Sequence, residues 1–212
     1  MRRRSFLTLV ATSGLVVRAA SARAEGTKRV VVQPLGPGSK AAALPVAAAL
    51  RAFYDVDVVV AEPAPLPKAA YYAARGRYRA EKLLEHLTTL HADALRVLGV
   101  TRVDISTTKG AVLDWGILGL ANIGGHACVA SAFRCQRSAR DARHAEERLG
   151  KTAVHELGHT FGLEHCSTRG CLLSDGGGTV LTTDGERDLC AGCRELLRAR
   201  GFLRADARSP WV

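Results

Sequence analysis

The sequence predicts an α/β (α+β) fold: a mixed, largely parallel twisted sheet packed with helices. Three observations predict it. Short β-branched runs end at Pro or Gly, Ala- and Leu-rich stretches show helical spacing, and the two kinds of segment alternate along the chain. With 212 residues, 47% of them hydrophobic, the chain suits one compact domain with a core, and it carries no internal repeat.

Residues 29–36, RVVVQPLG, are a β-branched run stopped by Pro34 and Gly36 and are expected to be a strand. Residues 40–54 predict a helix with Pro45 near its first turn, where a missing N–H is tolerated. A second strand is expected at 56–60, VDVVV, followed by an extended linker, EPAPLP. Between Tyr78 and His91, Leu83, Leu84, Leu87 and Leu90 recur at helical spacing. ALRVLGV (94–100) reads as a buried strand, the Gly-rich stretch 104–125 as loop, and HACVASAF (126–133) as a strand. A charged helix over 139–149 leads through Gly150 into KTAVHELGHTFGL, and a last helix is expected over 194–202. His86, His91 and His144 are expected on helix surfaces, and Cys128 and Cys135 as small buried residues.

The first residues read as an address. Arg2, Arg3 and Arg4 precede a mildly apolar run from Phe6 to Val17, and Ala22-Arg23-Ala24 is an A-x-A cleavage pattern. Arg3-Arg4-Ser5-Phe6-Leu7 is similar to the core of a twin-arginine signal, and a weak apolar run broken by Gly14 fits that pathway. Residues 1–24 are therefore expected to be a signal peptide, and the mature chain to be exported, periplasmic or extracellular. Its removal takes five arginines and no acid from a net charge of +10, leaving about +5. A surplus of that size is a solvated surface. It lacks a basic stripe with interleaved aromatics, which argues against nucleic acid as a partner. No apolar run of 18 residues lies beyond the leader, so no stable membrane insertion is expected once it is gone.

The densest chemistry lies at residues 155–171, HELGHTFGLEHCSTRGC. His155 and His159 are four apart, one helical turn plus about 40°, so both imidazoles leave one face of a helix and can reach a single ion. Glu156, beside the first of them, can reach a metal-activated water, as the general base of an H-E-x-x-H arrangement does. Gly162 permits the sharp turn that brings His165 back as a third nitrogen. Three neutral histidines with one open position are the composition of catalytic rather than structural zinc.

H-E-x-x-H-x-x-G-x-x-H followed directly by Cys166, then by Cys171 and Cys190-Ala191-Gly192-Cys193, resembles the archaemetzincin (archaelysin) family of metzincin zinc metalloproteases. VVVQPLG, RGRYRAEKLLEHL, RVLGVTRVDI and GGHACVASAFR are similar to that family too, so the resemblance covers most of residues 28–203. It implies a metzincin-like catalytic domain over 25–212, with an N-terminal subdomain to about 162 and a small zinc-bound C-terminal subdomain from about 163. It also implies a second, structural zinc held by Cys166, Cys171, Cys190 and Cys193, hence two zinc ions per chain. The C-x4-C and C-x2-C spacings are compatible with such a closed all-thiolate site. A pair of disulfides and a redox C-x-x-C at a helix start are the alternatives.

The pattern departs at one place: where the family has the methionine of its turn beneath the zinc, this chain has Leu173. Leucine is apolar and similar in volume, so repacking costs below about 1.5 kcal/mol. The reading is a zinc-dependent peptidase acting on peptide or protein substrates. His155, His159 and His165 hold the catalytic metal, a zinc-bound water is activated by Glu156, and the strand at 126–133 forms the cleft edge on which an extended peptide lies. The first alternative is a catalytically weak or inactive zinc-binding protein retaining the fold. The second is an exported thiol oxidoreductase, with titratable disulfides and no stoichiometric metal.

Overall fold

The computed structural model describes residues 28–177 and 179–212; the leader at 1–24 lies outside the described residues. In chain order the elements are β1 (Arg29–Leu35), α1 (Ser39–Phe53), β2 (Asp57–Val60), β3 (Tyr71–Tyr72), β4 (Arg77–Arg79) and α2 (Ala80–Leu90). There follow β5 (Arg96–Thr101), β6 (Ile105–Lys109), β7 (Val112–Ile117), β8 (Gly119–Ala121), β9 (Ala127–Ser131) and α3 (Ala132–Cys135). The chain then runs through α4 (Ala142–Thr160), α5 (Val180–Gly185) and α6 (Ala191–Ala199).

Five strands form the main sheet in the order β2-β1-β5-β9-β8. The first four are parallel, and β8 runs antiparallel to β9 at the edge. A parallel sheet is buried on both faces, so its strands are apolar throughout rather than alternating with polar residues. In β1, Val30 and Val32 face one layer while Val31 and Leu35 face the other. The first layer holds α1 and α4, and Leu163, Leu172, Leu173, Leu189 and Leu197 from the C-terminal segment pack into it. The second holds α2, through Leu83, Leu84 and Leu87. Leu90, expected on that apolar face, is 41% exposed, because α2 ends there beyond the sheet. Among the described residues no helix is long and apolar enough to cross a membrane.

Several expectations change. Residues 104–125 are not a loop: β6 and β7 form a hairpin in a second sheet ordered β3-β4-β6-β7, and β8 joins the main sheet. The hairpin turns at Gly110, whose φ of 57° is open to glycine. Polar pairing adds to the buried Ile105 and half-buried Ile117 in holding the hairpin to its neighbours. Arg77 bonds Asp104 and Asp114 at 2.7 Å each, and Arg134 bonds Asp104 at 2.7 Å. Pro45 lies inside α1 rather than in its first turn. The carbonyl it leaves without a partner belongs to Ala41, on the exposed side, where water can satisfy it. The charged helix and the histidine motif, finally, are one element. In α4 Gly150 lets the helix approach closely, since a Cβ there would stand 2.9 Å from Trp211 and 3.4 Å from Ala49.

Helix α4 starts at Asp141, whose carboxylate accepts from the His144 N–H at 2.7 Å. His144 is only 5% exposed, not a surface residue, and its Nε2 meets Asp184 at 2.8 Å. Arg148, 1% exposed, pairs twice with the same carboxylate at 2.7 Å and donates to the carbonyls of Cys135 and Arg137. Lys151, fully buried, pairs with Glu147 at 2.6 Å and donates to the Thr183 carbonyl at 3.2 Å. Buried cations of this kind need their counter-charges, and here Asp184, together with the Thr183 carbonyl, binds α5 to α4.

The Arg148 guanidinium, with burial opposing it and His144 adding to it, holds the Asp184 carboxyl down at about 2. A depressed carboxylate contributes stability that is complete above the unfolded value near 4 and is lost as pH falls through the folded one. Asp184→Ala strands the Arg148 charge, so urea unfolding at pH 7 should show a loss of about 3 kcal/mol. The gap between variant and parent should close as the pH is lowered towards 2.

Candidate metal centre and its cleft

His155, Glu156 and His159 lie on the last turn and a half of α4, and the way the helix ends brings in the third histidine. The Gly162 N–H donates to the His159 carbonyl at 2.8 Å and the Leu163 N–H to the Gly158 carbonyl at 3.1 Å, the paired bonds of a Schellman turn. Gly162 takes the φ of +87° that this turn requires. The chain doubles back, and His165 stands with its ring 5.3 Å from that of His155 and 4.7 Å from that of His159. One ring nitrogen from each of the three lies within 4.8 Å of the others.

Backbone carbonyls set the tautomers. His155 Nδ1 donates to the Leu172 carbonyl at 2.7 Å, and His159 Nδ1 to the Leu163 carbonyl at 2.7 Å. A carbonyl only accepts, so each ring proton sits on Nδ1 and each Nε2 carries a lone pair. Those two Nε2 atoms face each other at 2.9 Å. Neither has a proton to offer the other, so two lone pairs converge on one point, the arrangement that a shared cation would use. Burial, and then the neighbouring His159, pushes His155 down to about 3; burial also lowers His159. Both are neutral, as ligation requires.

Glu156 is 8% exposed and lies on the wall of a cleft of about 340 Å³ beside the histidines. Burial alone pushes its carboxyl up to about 8; a dication at the histidines would act the other way. Its space is made by Gly119 on β8: a Cβ there would stand 2.6 Å from the Glu156 carboxylate. The cleft edge is therefore β8. Strand β9, expected to be that edge, lies inside the sheet between β5 and β8.

The four cysteines form the second cluster. Cys166 and Cys190 sulfurs are 3.7 Å apart, as are those of Cys171 and Cys193, and all four lie within 4.8 Å of one another. The edge of a tetrahedron of thiolates around zinc is about 3.8 Å, whereas a disulfide closes to about 2.05 Å. Cys128 and Cys135 are buried elsewhere, in β9 and α3. The turn between Cys171 and Ser174 ties the clusters together. Leu172 supplies the carbonyl behind His155, and Leu173 the carbonyl that accepts from the Cys166 N–H at 2.7 Å. The Leu173 side chain is fully buried under α4, where a Cβ on Gly158 would meet it at 3.2 Å.

The histidines, Glu156 and the four cysteines are thus gathered as their spacing implies. Gly119, Thr152, Thr183 and Glu186 also face the cleft, and the sequence reading singled out none of them. Thr152 was within reach, since it precedes Glu156 by four in the same helix. Glu186 carries no motif.

The model of peptidase family M54 matches residues 50–199. An archaemetzincin of Haloquadratum walsbyi is 33% identical over 176 residues, covering 79% of this chain and 98% of that protein. The crystal structure of archaemetzincin from Archaeoglobus fulgidus, complexed with malonate, superposes with a TM-score of 0.68 at 30% identity, over 79% of this chain and 99% of that one. That of archaemetzincin from Methanopyrus kandleri gives 0.71 at 29% identity, over 84% and 98%. With the fold, the histidine cluster and the cysteine cluster in agreement, the chain belongs to the archaemetzincins, the metallopeptidases of family M54.

Proposed function

We propose that the chain hydrolyses peptide bonds with zinc held by His155, His159 and His165 and with Glu156 as general base. The observation that carries this is the pair of unprotonated Nε2 atoms 2.9 Å apart, beside a buried carboxylate that opens onto a cleft. Zinc bound there supplies Lewis acidity towards a carbonyl oxygen and towards water. Glu156 takes the proton of the attacking water and passes it to the leaving amine. Its carboxylate receives no hydrogen bond from the described residues, so both oxygens remain for that task. Among the described residues strand β8 pairs on one side only, and its other edge accepts a substrate in extended form. Cys166, Cys171, Cys190 and Cys193 hold a second, structural zinc, since four ligands leave no open position. The leader at 1–24 directs the folded, metal-loaded chain out of the cytoplasm.

Purified protein should contain two zinc ions per chain by elemental analysis. Glu156→Gln should retain both while peptide cleavage falls by at least about 100-fold. Undiminished cleavage would remove the glutamate from the mechanism. Gly119→Ala drives a methyl into the Glu156 carboxylate, so kcat should drop about tenfold or more with zinc content unchanged. Fractionation of cells expressing the full chain should place it outside the cytoplasm, and replacing Arg3 and Arg4 with lysine should retain it inside.

A further inference from the structure

The cleft extends beyond the groups used above, along α4 towards its N-terminus. Its wall there is made by Thr152 on α4, Thr183 on α5 and Glu186 just after α5. Glu186 is 5% exposed, and its carboxylate receives no hydrogen bond from the described residues. The nearby cation is already engaged, because Lys151 is held by Glu147 and by the Thr183 carbonyl. Glu186 also follows the C-terminal end of α5, whose carbonyls disfavour an anion. Burial pushes its carboxyl up to about 7, with Lys151 acting against this. Buried carboxylates are normally paired; among the described residues this one faces the cleft with no hydrogen bond, and its nearby cation, Lys151, is held by Glu147 and the Thr183 carbonyl.

We propose that this recess is a specificity subsite for a cationic substrate side chain, lysine or arginine, flanking the scissile bond and held by Glu186. The inference rests on the peptidase reading above. The acceptors match the ligand. The Thr152 hydroxyl is already engaged by the Arg148 carbonyl at 2.9 Å and by Cys135, so the acceptor the recess offers is the Glu186 carboxylate. Its two oxygens both accept, and a lysine ammonium or an arginine guanidinium supplies only donors. Reach selects a side chain over a free α-amine. Thr152 lies four residues, about 6 Å along the helix, before Glu156, whereas an α-ammonium stands only two bonds from the carbonyl it flanks.

The test separates binding from hydrolysis by using the full zinc-loaded chain with Glu156→Gln. Calorimetry compares a short peptide with one central lysine, the same peptide Nε-acetylated on that lysine, and the same peptide acetylated on its α-amine. Neutralising the side chain should weaken binding at least about tenfold, the size of a charge-assisted hydrogen bond; α-acetylation should change it less than about twofold. Adding Glu186→Gln should reduce the side-chain effect below about twofold, with zinc content and melting temperature as checks of folding. Should that variant fail to fold, Glu186→Asp, which withdraws the carboxylate by one methylene, should shrink the effect to an intermediate value. An acetylation gap that survives both variants, a dominant effect of α-acetylation, or no binding of any of the three peptides overturns the proposal. A lysine preference in binding without any cleavage by the parent protein would instead count against the peptidase reading and leave the subsite standing.

Discussion

Everything at the metal centre depends on where two protons sit. An imidazole presents a lone pair at Nε2 only while its proton stays on Nδ1, and a backbone carbonyl is what keeps it there. Leu163 and Leu172 provide those carbonyls. Both belong to the irregular segment that follows α4 rather than to the helix that carries the rings. The i, i+4 spacing aims His155 and His159 at a common point, but the following chain decides whether they arrive as ligands or as ordinary buried histidines. Leu163 is placed by the turn at Gly162, and Leu172 by the turn between Cys171 and Ser174.

The other wall of the cleft is held by charge. Arg148 and Lys151 are buried on the same helix as the histidines, and their partners fasten α5 beneath it. Removing such charges from water is costly, and an apolar contact of equal volume is often as stable. What the ion pairs add is position: bidentate Arg148–Asp184 geometry fixes where Thr183 and Glu186 stand relative to α4. Strand β8 fixes the opposite wall, with Gly119 leaving the space that the Glu156 carboxylate occupies. The cleft is a gap between elements held rigidly on either side.

Where a residue's role follows from its neighbours in sequence, the sequence was legible. His155, Glu156, His159, Gly162 and His165 all act within one helix end and its turn, and β1, α1, α2 and β5 carry the periodicities of their burial. Roles set by contact between distant segments were not legible. The β6–β7 hairpin is stitched by Arg77, Asp104, Asp114 and Arg134, so it lacks the apolar alternation that marks a strand; its Lys109-Gly110 turn was the signal available. His144 looked like a surface residue because its partner, Asp184, is 40 positions away. Pro45 was expected at a helix start because that is where proline is cheapest, and an exposed Ala41 carbonyl made the interior tolerable.

The cysteine cluster then acquires a definite task. From Gly162 to Cys171 the chain has neither helix nor strand, only isolated bridges at Cys166 and Cys171, yet it must hold the Leu163 carbonyl, His165 and Leu172 to within tenths of an ångström. Fixing roughly ten such residues costs on the order of 10–20 kcal/mol in backbone entropy. Metal held by thiolates from both ends of the segment and from the Cys190–Cys193 pair would contribute on the order of 10–16 kcal/mol, which is the right size. The thiolate site, though closed to chemistry itself, would then be a condition of the proposed catalysis: it would immobilise the carbonyl that keeps the His155 proton on Nδ1.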